Sequence, residues 1–271
     1  MSMPPKHPGP PQTPGHGPGP GYTPGYRPAP VRRPNRNNST LKILLIIFGS
    51  IIAIGLLGIC VVVGGLYFVT KDAIERVSEV TAASDAEAKA RKITIALLNY
   101  HDEHREFPPA VTKDANGKPL HSWRTLLLKH MDCADYRKID FDKPWNDPAN
   151  LAVLKSIDAR NYFGASRGDR GRVNTGFVAV VADDTVLREG KSIRIRDVRA
   201  GTSNTAVVIE LESSDIPWYE PRDVSPEQAR DMIRNSSYEG GIAVGYVDGT
   251  ARMIRQELSD EVAKELFKPE R

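Results

Sequence analysis

Residues 43–69 read ILLIIFGSIIAIGLLGICVVVGGLYFV, 27 positions without a charged side chain. Eighteen of them are Leu, Ile, Val or Phe, and most of the others are glycines such as Gly49, Gly55 and Gly58. At ~1.5 Å per residue a helix of this length spans about 40 Å, more than the ~30 Å hydrocarbon core of a bilayer. Each large apolar side chain favours insertion by about 0.3–0.6 kcal/mol, so the run favours the bilayer by roughly 5–10 kcal/mol. A buried helix of a soluble protein is seldom this long, and a cleaved signal has a shorter apolar core behind a short leader. The reading is an uncleaved transmembrane helix with the lipid bilayer as its partner. Gly49-x-x-x-Ala53 is a spacing that lets a second helix approach closely.

The charge distribution orients this anchor. Of 37 Lys+Arg and 34 Asp+Glu, residues 1–42 hold six basic side chains and no acid, so the rest of the chain carries −3. Positive charge thus belongs to the leader and not to a folded surface, which argues against nucleic acid as a partner. Arg32, Arg33, Arg36 and Lys42 precede the span, whereas Lys71 and Arg76 beyond it are balanced by Asp72 and Glu75. The positive-inside bias predicts a cytoplasmic N-terminus and an extracytoplasmic remainder in the cell envelope. Residues 1–40, with twelve prolines in the first 34 positions, hold too few apolar side chains to offset ordering and are expected to be disordered. The two cysteines exclude a disulfide framework. Cys60 falls in the span and Cys133 outside it, the latter expected to be buried.

Beyond the span no Pro or Gly interrupts residues 69–107. Ile74, Val77, Val80 (or Thr81), Ala90, Ile93, Leu97 and Tyr100 recur at spacings of three and four, which predicts one long helix with an amphipathic second half. Pro108-Pro109 ends it. A turn at Asn116-Gly117 follows, then a helix from Trp123 to Met131 capped by Ser122, and another opening at Asp147-Pro148. Strands are expected at residues 177–182, 205–212, 242–247 and 250–254, the last two joined by Asp248-Gly249 as a two-residue hairpin loop. Ser225 with Gln228 forms a capping box, and Ser259 caps a C-terminal helix within residues 257–271. A long helix followed by antiparallel strands predicts an α+β domain over residues 72–256 in which the sheet packs on the helix.

No catalytic set stands out. His101 and His104, three apart on a helix, could face one metal, but the spacing is not that of His-Glu-x-x-His and no third ligand is identifiable. Asp140 with Asp142 and Asp183 with Asp184 supply carboxylates, which read as solvated loop acids. Gly201-Thr202-Ser203-Asn204-Thr205 is rich in hydroxyls and amides, suited to a polar ligand or to local turn bonds. Trp145 and Trp218 each follow a proline and Tyr219 follows Trp218, all suited to sugar stacking or to packing. No metal, cofactor or enzymatic activity is expected. The functional expectation is binding or scaffolding with protein partners in the cell envelope, another copy of the chain among them. The alternative is a ligand-binding or sensor module.

Several stretches occur together in order: Asn99-Tyr100-His101-Asp102, Phe107-Pro108-Pro109, Ser122-Trp123-Arg124, Pro144-Trp145, Gly201 to Thr205, Pro217-Trp218 and Asp248-Gly249. In these residues 72–256 resemble the bacterial family called domain of unknown function 1559. The resemblance implies a pilin-like α+β fold with a long N-terminal helix and no established enzymatic activity. Most relatives also begin with a prepilin leader. Here the apolar run is entered through Ser39-Thr40-Leu41-Lys42 and contains no glutamate, so that leader is absent. The family's closing pattern also places a His ten residues before Asp-Gly; this chain has Tyr238 there.

Overall fold

The computed structural model describes residues 38–167, 173–238, 240–255, 259, 262 and 265–270. Of the disorder expected over residues 1–40, residues 1–37 lie outside these residues, as does part of the expected C-terminal helix, and Asn38 to Thr40 are instead the first residues of a helix. The chain divides into two units, residues 1–62 and 63–271. Helix α1, Asn38–His104, contributes to both.

In the first unit α1 is apolar all round. Ile46 is 70% exposed and Phe48 66%, and the most apolar stretch has no buried part. A helix apolar on every side needs an apolar surround. It is long and apolar enough to cross a membrane.

In the second unit the buried face of α1 consists of Ala82, Ala86, Ala90, Ile93, Thr94, Ala96 and Leu97, which keep helical spacing. The apolar face read from the sequence began earlier, but Ile74, Val77 and Val80 are exposed. Apolar packing on α1 starts only at Ala82, so these three have periodicity without anything over them. Arg105 ends the helix in a left-handed conformation, φ 66°, with its N–H donating to His101 O at 2.6 Å.

After a short hairpin, β1 (Val111–Lys113) with β2 (Pro119–Ser122), come α2 (Trp123–Leu127) and a 3-10 turn at Leu128–Met131. Ser122 caps α2, its Oγ accepting from Arg124 N. Helix α3, Pro148–Ser156, is capped by Asp147. Strands β3 (Phe177–Ala179), β4 (Ala206–Glu210), β5 (Ile242–Tyr246) and β6 (Ala251–Ile254) form an antiparallel sheet in that order. Helix α4, Pro226–Arg234, carries the Ser225–Gln228 capping box. At the C-terminus Val262 N donates to Ser259 Oγ at 3.4 Å.

The pleat sorts the sheet into two faces. Ala179, Val208, Gly245 and Ala251 form one cross-strand row, on the side of the core that holds Ala90, Ile93 and Leu97. Val178, Ile209 and Val244 form the next row, in a second core with Ala229 and Ile233 of α4 and with Leu266 and Phe267. The expectation of a sheet packed on one helix is therefore incomplete, since both faces are covered. β4 and β5 are buried at every position, as unbroken apolar runs such as AVVI require.

The loop between β5 and β6 also differs from expectation. Tyr246 N donates to Thr250 O and Gly249 N to Tyr246 O, leaving three residues in the loop with Gly249 at φ +86°. Val247 N is free of the hairpin because it donates to Thr205 O at 3.0 Å.

A Cβ on Gly245 would stand 2.6 Å from Thr94 Cγ2, 2.7 Å from Val208 Cγ2 and 3.3 Å from Ala90 O. A Gly245→Val protein should lose about 1–3 kcal/mol or more of stability through this overpacking. Denaturant unfolding in detergent, followed by circular dichroism, checks it. An unchanged midpoint would show that α1 does not lie this close to β5.

Candidate functional site

The last turn of α1 separates the two histidines read as a pair. His101 faces the 3-10 turn at Ile195–Asp197, its Nε2 accepting from Ile195 N at 3.2 Å. His104 instead stacks on Tyr100, with ring centroids 4.1 Å apart. Tyr100 and His130 meet in a T-shaped arrangement, ring centroids 5.9 Å apart. Glu103 completes the group, 3.9 Å from His104 Nε2 and 3.7 Å from His130 Nε2, and is salt-bridged to Lys129. The Lys129 hydrogen bond holds the Glu103 carboxyl below the ordinary carboxylate range. Burial pushes the His130 imidazole below its usual 6.5 and the Tyr100 phenol above 10. Tyr100, His104, His130, Tyr136 and Phe141 line a cavity of about 270 Å³. Among the described residues Glu103, His104 and His130 are the one group of three metal-ligand types with converging donor atoms.

Two buried arginines tie distant segments together. Arg124, fully buried, donates from Nη1 to Asp223 Oδ1 at 2.7 Å, from Nε to Trp218 O at 2.8 Å, and from Nη2 to Glu220 O and Arg222 O at 2.9 Å. Asp223 Oδ1 also accepts from Trp123 Nε1 at 3.0 Å and Ala179 N at 2.9 Å. Arg167 makes a bidentate pair with Glu210, at 2.6 and 3.2 Å, and reaches Glu79 of α1 at 2.9 Å and Gly241 O at 2.7 Å. Glu210 Oε2 accepts in turn from Ala243 N at 3.0 Å. The Arg167 guanidinium lies 3.6 Å from the ring centre of Tyr238. Burial, and next the Glu210 charge, push the Tyr238 phenol up to about 12. At this position the chain has an aromatic cover for a buried ion pair.

The other residues read from the sequence are dispersed. Phe107, Trp123, Trp218 and Thr205 are in the core, Pro108 is buried, and Asn99 and Asp102 are exposed. Pro144 O accepts from Asn150, Trp145 packs on Tyr219 at 5.8 Å, and Pro217 bridges to Asn174. In the polar loop Gly201 has φ +94°, Asn204 Nδ2 donates to Ala200 O, and Thr205 Oγ1 donates to Gly201 O. Thr202 O and Asp248 N join this loop to the Asp248-Gly249 turn at 3.2 Å, while Ser203 is exposed. Asp140 serves a local turn, accepting from Asp142 N and bridging to Lys143, and Asp183 and Asp184 are exposed. Cys133 is buried and Cys60 exposed.

The Arg167–Glu210 pair predicts a graded response. Glu210→Gln leaves a buried guanidinium undercompensated and should cost about 3–5 kcal/mol. Glu79→Gln, at a partly exposed partner, should cost less than about 1 kcal/mol. Equal losses in chemical denaturation would contradict the assignment of Glu210 as the principal partner. His121 adds a pH dependence. Burial depresses its pKa below 6.5, so the unfolded chain takes up a proton that the folded chain resists. Its contribution is complete above pH 6.5 and is lost progressively as pH falls below that value. His121→Leu should therefore flatten the fall in stability between about pH 7 and 5. Parallel pH profiles for the two proteins would remove this role.

The model of the family described as protein of unknown function (DUF1559) matches residues 85–162. That segment holds the buried half of α1, the cluster around Glu103 and the start of the Arg124 network. The resemblances at Gly201–Thr205, Pro217-Trp218 and Asp248-Gly249 fall outside it. No curated protein and no solved structure matches the chain. Over residues 85–162 the chain is thus similar to the DUF1559 family.

Proposed function

We propose that this is a single-pass membrane protein whose folded unit lies outside the cytoplasm and works by binding, as a pseudopilin-like scaffold or interaction protein without catalysis. The observation that carries this is the first part of α1. Its apolar side chains from Ile43 to Val69 are almost all exposed, and no described side chain covers them. The asymmetric basic flank supports the orientation. His101 parts from His104, and Asp140, Asp142, Asp183 and Asp184 lie in local turns or in solvent, which supports a reading in which these residues do no general acid–base chemistry, since that needs them convergent in a cleft. Partners would be envelope proteins, a second copy included.

A ligand-binding reading keeps one observation in its favour, the aromatic-walled cavity beside Tyr100. Its volume of about 270 Å³ is just under the ordinary range for small-ligand pockets. Trp218 no longer supports that reading, since at 1% exposure it cannot stack on a sugar.

Protease treatment of spheroplasts, with mass spectrometry of the surviving fragments, tests anchoring and orientation together. Residues beyond 70 should be digested while the Pro-rich leader survives attached to residues 43–69. Survival of the folded unit with loss of the leader would reverse the orientation. Crosslinking in membranes before detergent purification tests the binding role. The same protein, or the same pair of copies, should be recovered repeatedly, and recovery of the chain alone would contradict scaffolding.

A further inference from the structure

The side chains gathered at the end of α1 have no part in the function proposed above. Glu103 and His104 come from its last turn, and His130 from the 3-10 turn that follows α2. Their ligand atoms all lie within 4.8 Å of one another. The His130 side chain is only 10% exposed, and its Nε2 is buried without a hydrogen-bond partner. Leaving such a nitrogen unpaired is unfavourable, and a bound cation would give it a partner. We propose that Glu103, His104 and His130 bind one divalent transition-metal cation, Zn²⁺ or an ion of similar preference, with a fourth position open to solvent.

Two imidazoles and one carboxylate select for such ions. Ca²⁺ and Mg²⁺ take oxygen ligands, whereas nitrogen donors suit Zn²⁺, Co²⁺, Ni²⁺ and Cu²⁺. Three protein ligands around a tetrahedral ion leave one position for water or an incoming donor. Bonds of ~2.0–2.1 Å would set neighbouring donors about 3.3 Å apart, so the three donor atoms, which lie within 4.8 Å of one another, must draw together by up to about 1.5 Å. Glu103 and His104 are nearly half exposed and can turn inward. His130 is held by its burial. Tyr100 touches both imidazoles, stacked on His104 at 4.1 Å and T-shaped with His130 at 5.9 Å between ring centroids.

Lys129 gives the site a distinctive competition. Its ammonium already pairs with Glu103, in the place a metal cation would take. Lys129 is 46% exposed and can swing into water when the metal binds. Removing it should therefore strengthen metal binding, the opposite of the effect of removing a ligand.

The test is a Co²⁺ titration of the full chain, purified in detergent and stripped with chelator. Visible absorption of tetrahedral intensity should appear, saturate at one ion per chain and be abolished by Zn²⁺. His130→Ala and the surface substitution Glu103→Gln should each weaken binding at least about 10-fold. The Glu103 variant keeps the test valid if the buried His130 variant fails to fold. Lys129→Met should tighten binding several-fold. A His7→Ala, His16→Ala double variant should change nothing, which excludes the leader histidines as the site. Spectra of octahedral aqueous Co²⁺ only, unaltered binding in Glu103→Gln, or loss of binding in the leader variant would each overturn the proposal. A weaker Lys129→Met would do the same.

Discussion

The structure of the folded unit depends on how closely α1 lies against β5. Ala86 and Ala90 give the helix a smooth face, and Gly245 gives the strand no side chain where the two meet. Ala90 O lies just 3.3 Å from where a Cβ on Gly245 would sit. At this separation the neighbouring positions Ile93, Leu97, Val208 and Ala243 close into one core. Interiors pack near crystal density, so a pair of backbones this close fixes everything beside them. The hairpin turn at Gly249 rests against Leu98 for the same reason.

The buried ion pairs follow from that placement. Glu210 stands on the α1 side of β4, where Arg167 can reach it together with Glu79 of the helix. Arg124 satisfies carbonyls at Trp218, Glu220 and Arg222 that have left any regular strand. Such pairs give little net stability when well-packed apolar groups are the alternative, but they penalise wrong registers heavily. Their effect here is to hold irregular connections in single arrangements around a sheet of short strands.

Much of the local structure was legible in residue patterns. The 67-residue helix follows from an apolar run without Pro that continues into residues 69–107 without Pro or Gly, and Ser122, Asp147 and Ser225 cap the helices they precede. Caps are legible because their chemistry acts within three residues. The second layer, α4 with Leu266 and Phe267, was not anticipated, because unbroken apolar strands do not reveal how many faces are covered. Periodicity likewise placed Ile74, Val77 and Val80 on a buried face that begins only at Ala82. The contacts of the candidate site were hidden for another reason. Lys129 meets Glu103 across 26 positions and Arg167 meets Glu210 across 43. No local spacing encodes these partners. His101 and His104 looked like a pair on spacing alone, and the close of α1 sends them to different neighbours.

Hydrogen exchange resolved by residue tests the dependence of the fold on α1 most directly. If the helix is the surface on which the sheet is built, amides from Ala86 to Leu97 should exchange only through global unfolding. Their opening free energies would then equal those of β4 and β5. Amides of α1 that open well below that limit while β4 and β5 stay protected would contradict the account. They would show a sheet that stands without its helix.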